Sequence, residues 1–301
     1  MKKRVAIILV NYNGALDTLE CIESISRMSY KSFRIIVVDN SSTDNSLNIL
    51  TQNKEELAFE LIALPENMGF SAGNNAGIRK AIESGVQFIL LLNNDTIVDP
   101  DFLSNLMREA ESSVDTSVVT GTIYNASNKS KLWYAAGEFN PLLAKVTQIH
   151  RKCKNGKLPE NSIDISFASG CCLCVPVSII KRIGLLDESY FMYEEDVDYC
   201  HRIIQNNFKI RYVPDAILYH KVSSSTTKTK KISAITQYYM VRNKFIFINR
   251  YYKGFNSIIP YLHSFLMYSY YCIRYGMKPR YVLWAIYDFL RGKSYVSERK
   301  L

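Results

Sequence analysis

The sequence predicts an α/β protein, a mostly parallel sheet flanked by helices and followed by a helical C-terminal appendage. Three observations carry this expectation. Apolar runs of strand length alternate with segments of helical period over the first hundred residues. The first, second and fourth of these runs end in polar residues suited to binding. Charge is split: residues 1–220 hold 22 Lys and Arg against 26 Asp and Glu, and residues 221–301 hold 15 against 2, within a net +9.

The elements follow in order. Val5–Val10 is continuously apolar, as a strand buried on both faces should be. It is too short for a signal-peptide core, so Met1-Lys2-Lys3-Arg4 leads into a first strand. Leu16, Leu19, Ile22 and Ile25 recur at helical spacing, and Phe33–Val38 is a second buried strand ending at Asp39. A helix from Ser46, a strand near Phe59–Leu64, a loop over Pro65–Gly69, a helix over Ala72–Ser84 and a strand over Val86–Leu92 complete a Rossmann-like β-α-β-α-β-α-β order. Ligands in such sheets bind beyond the strands' carboxyl ends.

The second half is less regular. Trp133–Ile149 reads as short strands or loop, Lys152–Pro159 as a polar excursion, and Ile165–Val175 as an apolar run with small residues. Pro176 opens a short helix, where its missing N–H is harmless. A helix follows Asp196 and a strand lies near Lys209–Val213. From Val222 to Thr227 a Ser/Thr-rich linker divides a body, residues 1–222, from a basic, aromatic, helical region, residues 223–301.

A hydrophobic content of 48% with 22% charged residues excludes a disordered chain. The 21 tyrosines suit surfaces that are wet on one side and apolar on the other, such as sugar clefts and membrane interfaces. Seven cysteines, partly clustered as Cys171-Cys172-Leu173-Cys174 in an apolar run, make no disulfide framework and no zinc spacing. They point to a reducing, cytoplasmic compartment.

The polar strand ends carry the chemistry. Asn11-Tyr12-Asn13, Asp39-Asn40-Ser41-Ser42 and Asn93-Asn94-Asp95 should converge at one rim of the sheet. Each alone would be a turn or a helix cap; together they suit a nucleotide. Asp95, fixed at the end of a buried strand, can hold Mg²⁺ or Mn²⁺ against a diphosphate, because hard cations share oxygen ligands with phosphates. Glu194-Glu195-Asp196-Val197-Asp198 crowds four carboxylates, which raises at least one pKa and poises a general base. Asp196 could equally cap the helix that follows. His220, near the end of a late strand, is either a structural hydrogen-bonder or a ligand.

Taken in order, these residues resemble the inverting family 2 glycosyltransferases of the GT-A fold, particularly a bacterial rhamnosyltransferase-like subgroup. The carrying motifs are Val10–Gly14, Val37–Asp44, Glu66–Asn75, Leu91–Asp95, Phe191–Tyr199 and Tyr219-His220, with Arg242-Asn243 beyond them. The likeness implies that Asp39 recognises the base. It implies that Asn11, Tyr12, Asn67, Gly69, Gly73, Asn74, Asn93, Asn94, Asp95 and Arg242 bind the donor. Asp95 would be the last acid of the family's Asp-x-Asp metal motif, with His220 at the metal or diphosphate, and Asp196 or Glu195 would deprotonate the acceptor. The metal motif departs from the family in carrying a single carboxylate.

The activity implied is transfer of a sugar, L-rhamnose from dTDP-rhamnose or a sugar from a UDP donor, to a hydroxyl of a cell-surface polysaccharide such as O-antigen or of a lipid-linked oligosaccharide. A sugar nucleotidyltransferase would want a Gly-rich, basic loop after the first strand, and Asn11–Asp17 holds no Lys or Arg. A non-catalytic nucleotide-sugar-binding protein would not need the acid cluster. The tail reads as an amphipathic helix lying on the inner face of the cytoplasmic membrane, since Ser257–Ile273 falls short of the ~20 residues of a spanning helix and contains Pro260 and His263. Its basic residues then face anionic lipid. A cap on the body or a homo-oligomer contact would use the same apolar face, and nothing resembles a nucleic-acid module.

Overall fold

A computed structural model of the chain describes residues 4–112, 117–148, 158–221 and 233–293. The expected linker from Val222 to Thr227, and the polar excursion through residue 157, lie outside the described residues.

The first half follows the expected alternation: β1 (Val5–Asn11), α1 (Ala15–Ser26), β2 (Phe33–Asp39), α2 (Ser46–Asn53), β3 (Phe59–Ala63), α3 (Gly69–Glu83) and β4 (Phe88–Leu92). Next come β5 (Thr96–Val98), α4 (Phe102–Ser112), β6 (Ser117–Asn125), β7 (Asn128–Tyr134), β8 (Gly137–Asn140), β9 (Lys145–Gln148) and β10 (Ile163–Ile165). The chain continues through β11 (Cys172–Pro176), α5 (Val177–Ile183), α6 (Glu195–Gln205), β12 (Lys209–His220), α7 (Ala234–Tyr251), α8 (Ile258–Tyr275) and α9 (Pro279–Leu290).

One large sheet organises the body in the order β10-β12-β6-β11-β4-β1-β2-β3. Strands β4, β1, β2 and β3 are mutually parallel. Their continuous apolar runs, with β1 and β4 wholly sealed from solvent but for Val10, reflect helices on both faces. The order reverses beside β1, which has β2 on one side and β4 on the other, so a crevice opens at the carboxyl ends there. Beyond β4 the sheet is mixed, with β11 antiparallel to both β4 and β6. Strand β12 runs parallel to β6 well past the expected end at Val213, because a register shift between Val213 and Ile217 absorbs the Pro214-Asp215 interruption. Pro176 is the last residue of β11 and precedes α5 rather than lying inside it.

Helix α7 is beyond the expected boundary at residue 222, yet Phe247 and Ile248 belong to the main core. Tyr238, Tyr239 and Val241 form a second cluster with Tyr268, Met277 and Ala285 of the α8–α9 region. Packing therefore ties α7 to the body. No helix among the described residues is long and apolar enough to cross a membrane. The described cysteines are free thiols, five of them buried.

Candidate active site

The strand ends form one wired floor. Asn11, fully buried at the end of β1, donates from Nδ2 to Asp39 Oδ1 (2.8 Å) and Ser42 Oγ (3.1 Å). Its Oδ1 accepts from Thr18 Oγ1 (3.0 Å), which itself accepts from Asn94 Nδ2 (2.8 Å). Asp39 also accepts from the N–H and hydroxyl of Ser42, at 3.0 and 2.6 Å. Asn40 reaches the next loop, donating to Asn67 Oδ1 and Gly69 O and accepting from Met68 N–H. Gly69 takes φ +81° there, and a Cβ would collide with the Phe191 carbonyl and ring, so this turn requires glycine. Phe70 N–H then donates to Phe191 O at 2.7 Å, closing the loop onto the segment before α6.

The cleft above this floor has a volume of about 630 Å³. Of the residues expected to bind donor, Tyr12, Asn67, Gly69, Asn93, Asn94 and Asp95 line it, together with Glu195, Asp196 and His220. Asn11, Asp39, Gly73, Asn74 and Arg242 are not among its lining residues. Asn11 and Asp39 lie beneath it, satisfied by each other and by Ser42. Gly73 faces Val10 and lets α3 approach β1, and Asn74 donates back to Phe70 O. Arg242 is fully buried in α7, where its guanidinium donates to Ser189 O and Asn243 Oδ1.

One edge of the cleft pairs Asp95 with His220. Strand β12 ends at His220 opposite Thr96 of β5, and Lys221 N–H donates to Asp95 O, so the ladder sets the imidazole beside the carboxylate. His220 Nε2 lies 3.0 Å from Asp95 Oδ1 and 3.4 Å from Asn93 Nδ2. Its Nδ1 is buried without a hydrogen-bond partner, and Trp133 meets the ring edge-on at 4.6 Å between centroids. Lys221 pins the strand end to α1 through Asp17 and Glu20. Among the described residues no three His, Cys, Asp or Glu side chains gather as a metal cluster. A carboxylate with an imidazole is a partial set that phosphate oxygens can complete.

The opposite edge is the start of α6. Tyr193 and Glu194 both take left-handed φ, +69° and +70°, a conformation that costs about 1–3 kcal/mol each and must be held by its surroundings. Helix α7 holds it. Asn243 Nδ2 donates to Met192 O (2.8 Å) and Tyr193 O (2.9 Å), while Lys244 Nζ donates to Glu194 Oε2 and Ala144 O, both at 2.8 Å. The four crowded carboxylates thereby separate. Glu194 pairs with Lys244, and buried Asp198 with Arg202, Arg250 and Tyr251. Glu195 and Asp196 remain in the cleft.

Asp196 sits in the first turn of α6, whose cap position is Glu194. Its two oxygens accept from Gly170 N–H (3.1 Å) and Val197 N–H (2.9 Å). Burial pushes its carboxyl up to about 6; the Gly170 N–H opposes this and the Glu194 charge adds to it. Glu195 is raised well above the ordinary carboxylate range by burial and then by the Asp196 charge, and its Oε2 has no hydrogen-bond partner. The two carboxyls act as one coupled pair, both raised by burial, and Asp196 is the one whose two oxygens are held by N–H donors.

Sequence reasoning missed Trp133, Gly170 and the α7 clamp. Trp133 is one of only two tryptophans, a scarcity that could have marked it. Gly170 lies in a small-residue run read as core, and Lys244 in a region read as a basic tail.

Comparison with known proteins adds the family and the relatives of the chain. A family model described as Glycosyl transferase family 2 matches residues 6–184. The dTDP-rhamnosyl transferase RfbF of Shigella flexneri is 23% identical over 256 residues, covering 83% of this chain and 81% of that one. The low-salt glycan biosynthesis hexosyltransferase Agl10 of Haloferax volcanii is 27% identical over 303 aligned positions, covering 96% and 90%. In fold, the chain is similar to the mannosyltransferase PcManGT of Pyrobaculum calidifontis, solved with GDP-Man and Mn²⁺, with a TM-score of 0.58 at 16% identity, covering 99% of this chain and 77% of that one. Some solved matches are longer, and the chain spans 40% of one of them.

Proposed function

Because this chain belongs to glycosyl transferase family 2, we propose that it is an inverting transferase moving a sugar from a nucleoside-diphosphate donor to a glycan hydroxyl. The carrying observation is that one cleft is lined by two chemically distinct edges, Asp95 with His220 and Glu195 with Asp196. Transfer needs both, one to meet a departing diphosphate and one to take a proton. The Shigella relative supports dTDP-rhamnose as donor, and the Haloferax relative, a glycan biosynthesis hexosyltransferase, supports a growing glycan as acceptor, here a cell-surface polysaccharide or a lipid-linked oligosaccharide. The enzyme works as a peripheral protein at the inner face of the cytoplasmic membrane.

Tyr12, Asn67 and Gly69 line the donor side, and Asn11 and Asp39 fix its shape from beneath. The acceptor hydroxyl attacks the anomeric carbon while Asp196 takes its proton; the bond from that carbon to the diphosphate oxygen breaks, and the configuration inverts. The N–H groups of Gly170 and Val197 hold both Asp196 oxygens in place, while Glu195, its carboxyl raised by burial, stands beside it in the cleft. Asp95 and His220 would hold Mg²⁺ or Mn²⁺ with the donor's phosphate oxygens, and such an ion neutralises charge on the leaving diphosphate.

The test is a panel of dTDP-rhamnose, UDP-sugars and GDP-mannose with Mg²⁺ or Mn²⁺, read by thermal shift and by transfer. A ligand that binds only the native state raises the apparent Tm, so dTDP-rhamnose should raise it and support transfer. Consumption of nucleoside triphosphate and sugar phosphate would identify a nucleotidyltransferase instead, and stabilisation without turnover a binding protein.

A further inference from the structure

Helices α8 and α9 leave their outer faces uncovered. On α8, Ile258, Leu262, Phe265, Leu266 and Ile273 form an exposed stripe at helical spacing, with Ile273 86% exposed and Phe255, just before the helix, 90% exposed. On α9, Leu283, Tyr287 and Leu290 repeat it at four- and three-residue steps. Single exposed apolar residues are ordinary, but an exposed apolar stripe repeated on two helices that touch each other marks an interaction surface.

The charges around it select the partner. Lys253, Arg274, Lys278, Arg280, Arg291 and Lys293 are all exposed and sit at the helix ends rather than along the stripe. Across residues 233–293 the sole acid is Asp288, which is 1% exposed and accepts from Tyr238 OH in the second cluster. The surface is thus apolar along its length and cationic at its ends. A two-fold contact with a second copy would bring the same patch onto itself and set these bases against one another. A bilayer of anionic lipid supplies what the face lacks, hydrocarbon under the stripe and negative headgroups beside the bases. Tyr270, Tyr275 and Tyr287, each partly exposed, suit the headgroup level between them.

We propose that the α8–α9 face docks flat on an anionic lipid surface, its inner side being built on the same aromatic cluster that backs one wall of the cleft. The inner sides of α8 and α9 pack on α7 through Tyr268 OH to Met240 O (2.7 Å) and Tyr238 OH to Asp288 Oδ2 (2.8 Å). Against that same cluster lie Phe191, stacked on Tyr239 at 4.9 Å, and Met192, both of which line the cleft. The docking helices and a cleft wall are thus two sides of one small core. The proposal rests on the transferase reading only for its purpose, bringing the cleft to an acceptor held at the bilayer.

The experiment is flotation of the full chain with phosphatidylglycerol-containing vesicles and with pure phosphatidylcholine vesicles, at low and high salt. Binding to the first alone, weakened by salt, is expected. The double change Phe265→Glu with Ile273→Glu should abolish it while leaving the circular-dichroism melt and donor turnover unchanged, and each of Arg274→Gln and Lys278→Gln should weaken it about fivefold. No flotation at low salt, or equal flotation by the double variant, overturns the proposal. So does a dimer in light scattering that the double variant dissolves, since a second copy then covers the face. Transfer to a detergent-solubilised acceptor is measured in the same preparations. Transfer without vesicle binding refutes docking and the peripheral placement while leaving the transferase reading, and vesicle binding without transfer supports docking and refutes the transferase reading.

Discussion

Replacing Asp196 by Asn should make the protein a poorer catalyst and a more stable fold at neutral pH. Burial lifts this carboxyl from 3.8 to about 6, so its charged form is disfavoured in the folded state by about 3 kcal/mol at most. The folded protein holds this proton between pH of about 4 and 6 where the unfolded chain has released it, so stability falls as pH rises through that window. Asn removes the charge but has one oxygen for the two N–H donors of Gly170 and Val197, which returns about 1 kcal/mol. A net gain of about 2 kcal/mol is therefore expected at pH 8, fading below pH 5 or so. Turnover, followed by release of nucleoside diphosphate, should fall at least ~10²-fold. In the unaltered protein turnover should rise with pH through about 6 as Asp196 ionises. Glu195→Gln, at a carboxyl whose Oε2 has no hydrogen-bond partner, should cost much less. If both variants turn over within tenfold of the parent, the acid pair is only the start of a helix. If Asp196→Asn is less stable at pH 8 in urea titrations, burial is not what raises this group.

Three further outcomes are expected. Asp95→Ala should abolish metal-dependent turnover with an unchanged circular-dichroism spectrum; near-normal activity in a Mn²⁺ titration would remove Asp95 from the site. Lys244→Met strips Glu194 of its cation, and the Glu194 charge already raises Asp196, so the midpoint of the pH–rate profile should move above 6; an unmoved midpoint contradicts the clamp. Gly69→Ala forces a Cβ into Phe191 at φ +81°, which should cost about 1–3 kcal/mol in chemical denaturation and weaken donor binding; a neutral result would mean the loop repacks freely.

How much of this was legible in the sequence follows from what buries each segment. Strands β1, β2 and β4 are covered on both faces, so Val5–Val10, Phe33–Val38 and Phe88–Leu92 are apolar without interruption and readable at once. Their polar ends marked the rim for the same reason, since Asn11, Asp39 and Asn93 are the first residues that need not be apolar. The direction of β11 was not readable, because an apolar run packs identically whether it pairs parallel or antiparallel. Strand β12 looked finished at Val213, as Pro214-Asp215 reads as a turn until a neighbouring strand accommodates the bulge. Arg242 was expected at the donor, and Lys244 was only one cation of a basic helical region. Among the partners of Arg242, Asn243 and Lys244 are carbonyls and a carboxylate fifty residues or more upstream, and a local reading has no access to those contacts.

The buried thiols have a practical consequence. Burial pushes Cys21 and Cys172 up to about 12, and Cys171, Cys174 and Cys200 are raised too, Cys171 also by the charge of Asp95. Alkylating reagents attack the thiolate, so at neutral pH these positions are silent while the chain is folded. Each reacts only in molecules that have opened around it. Cys171 lines the cleft beside Asp95, whereas Cys174 and Cys200 lie in the wider core. Time-resolved alkylation, resolved peptide by peptide, therefore separates breathing of the cleft from global unfolding without a single engineered probe.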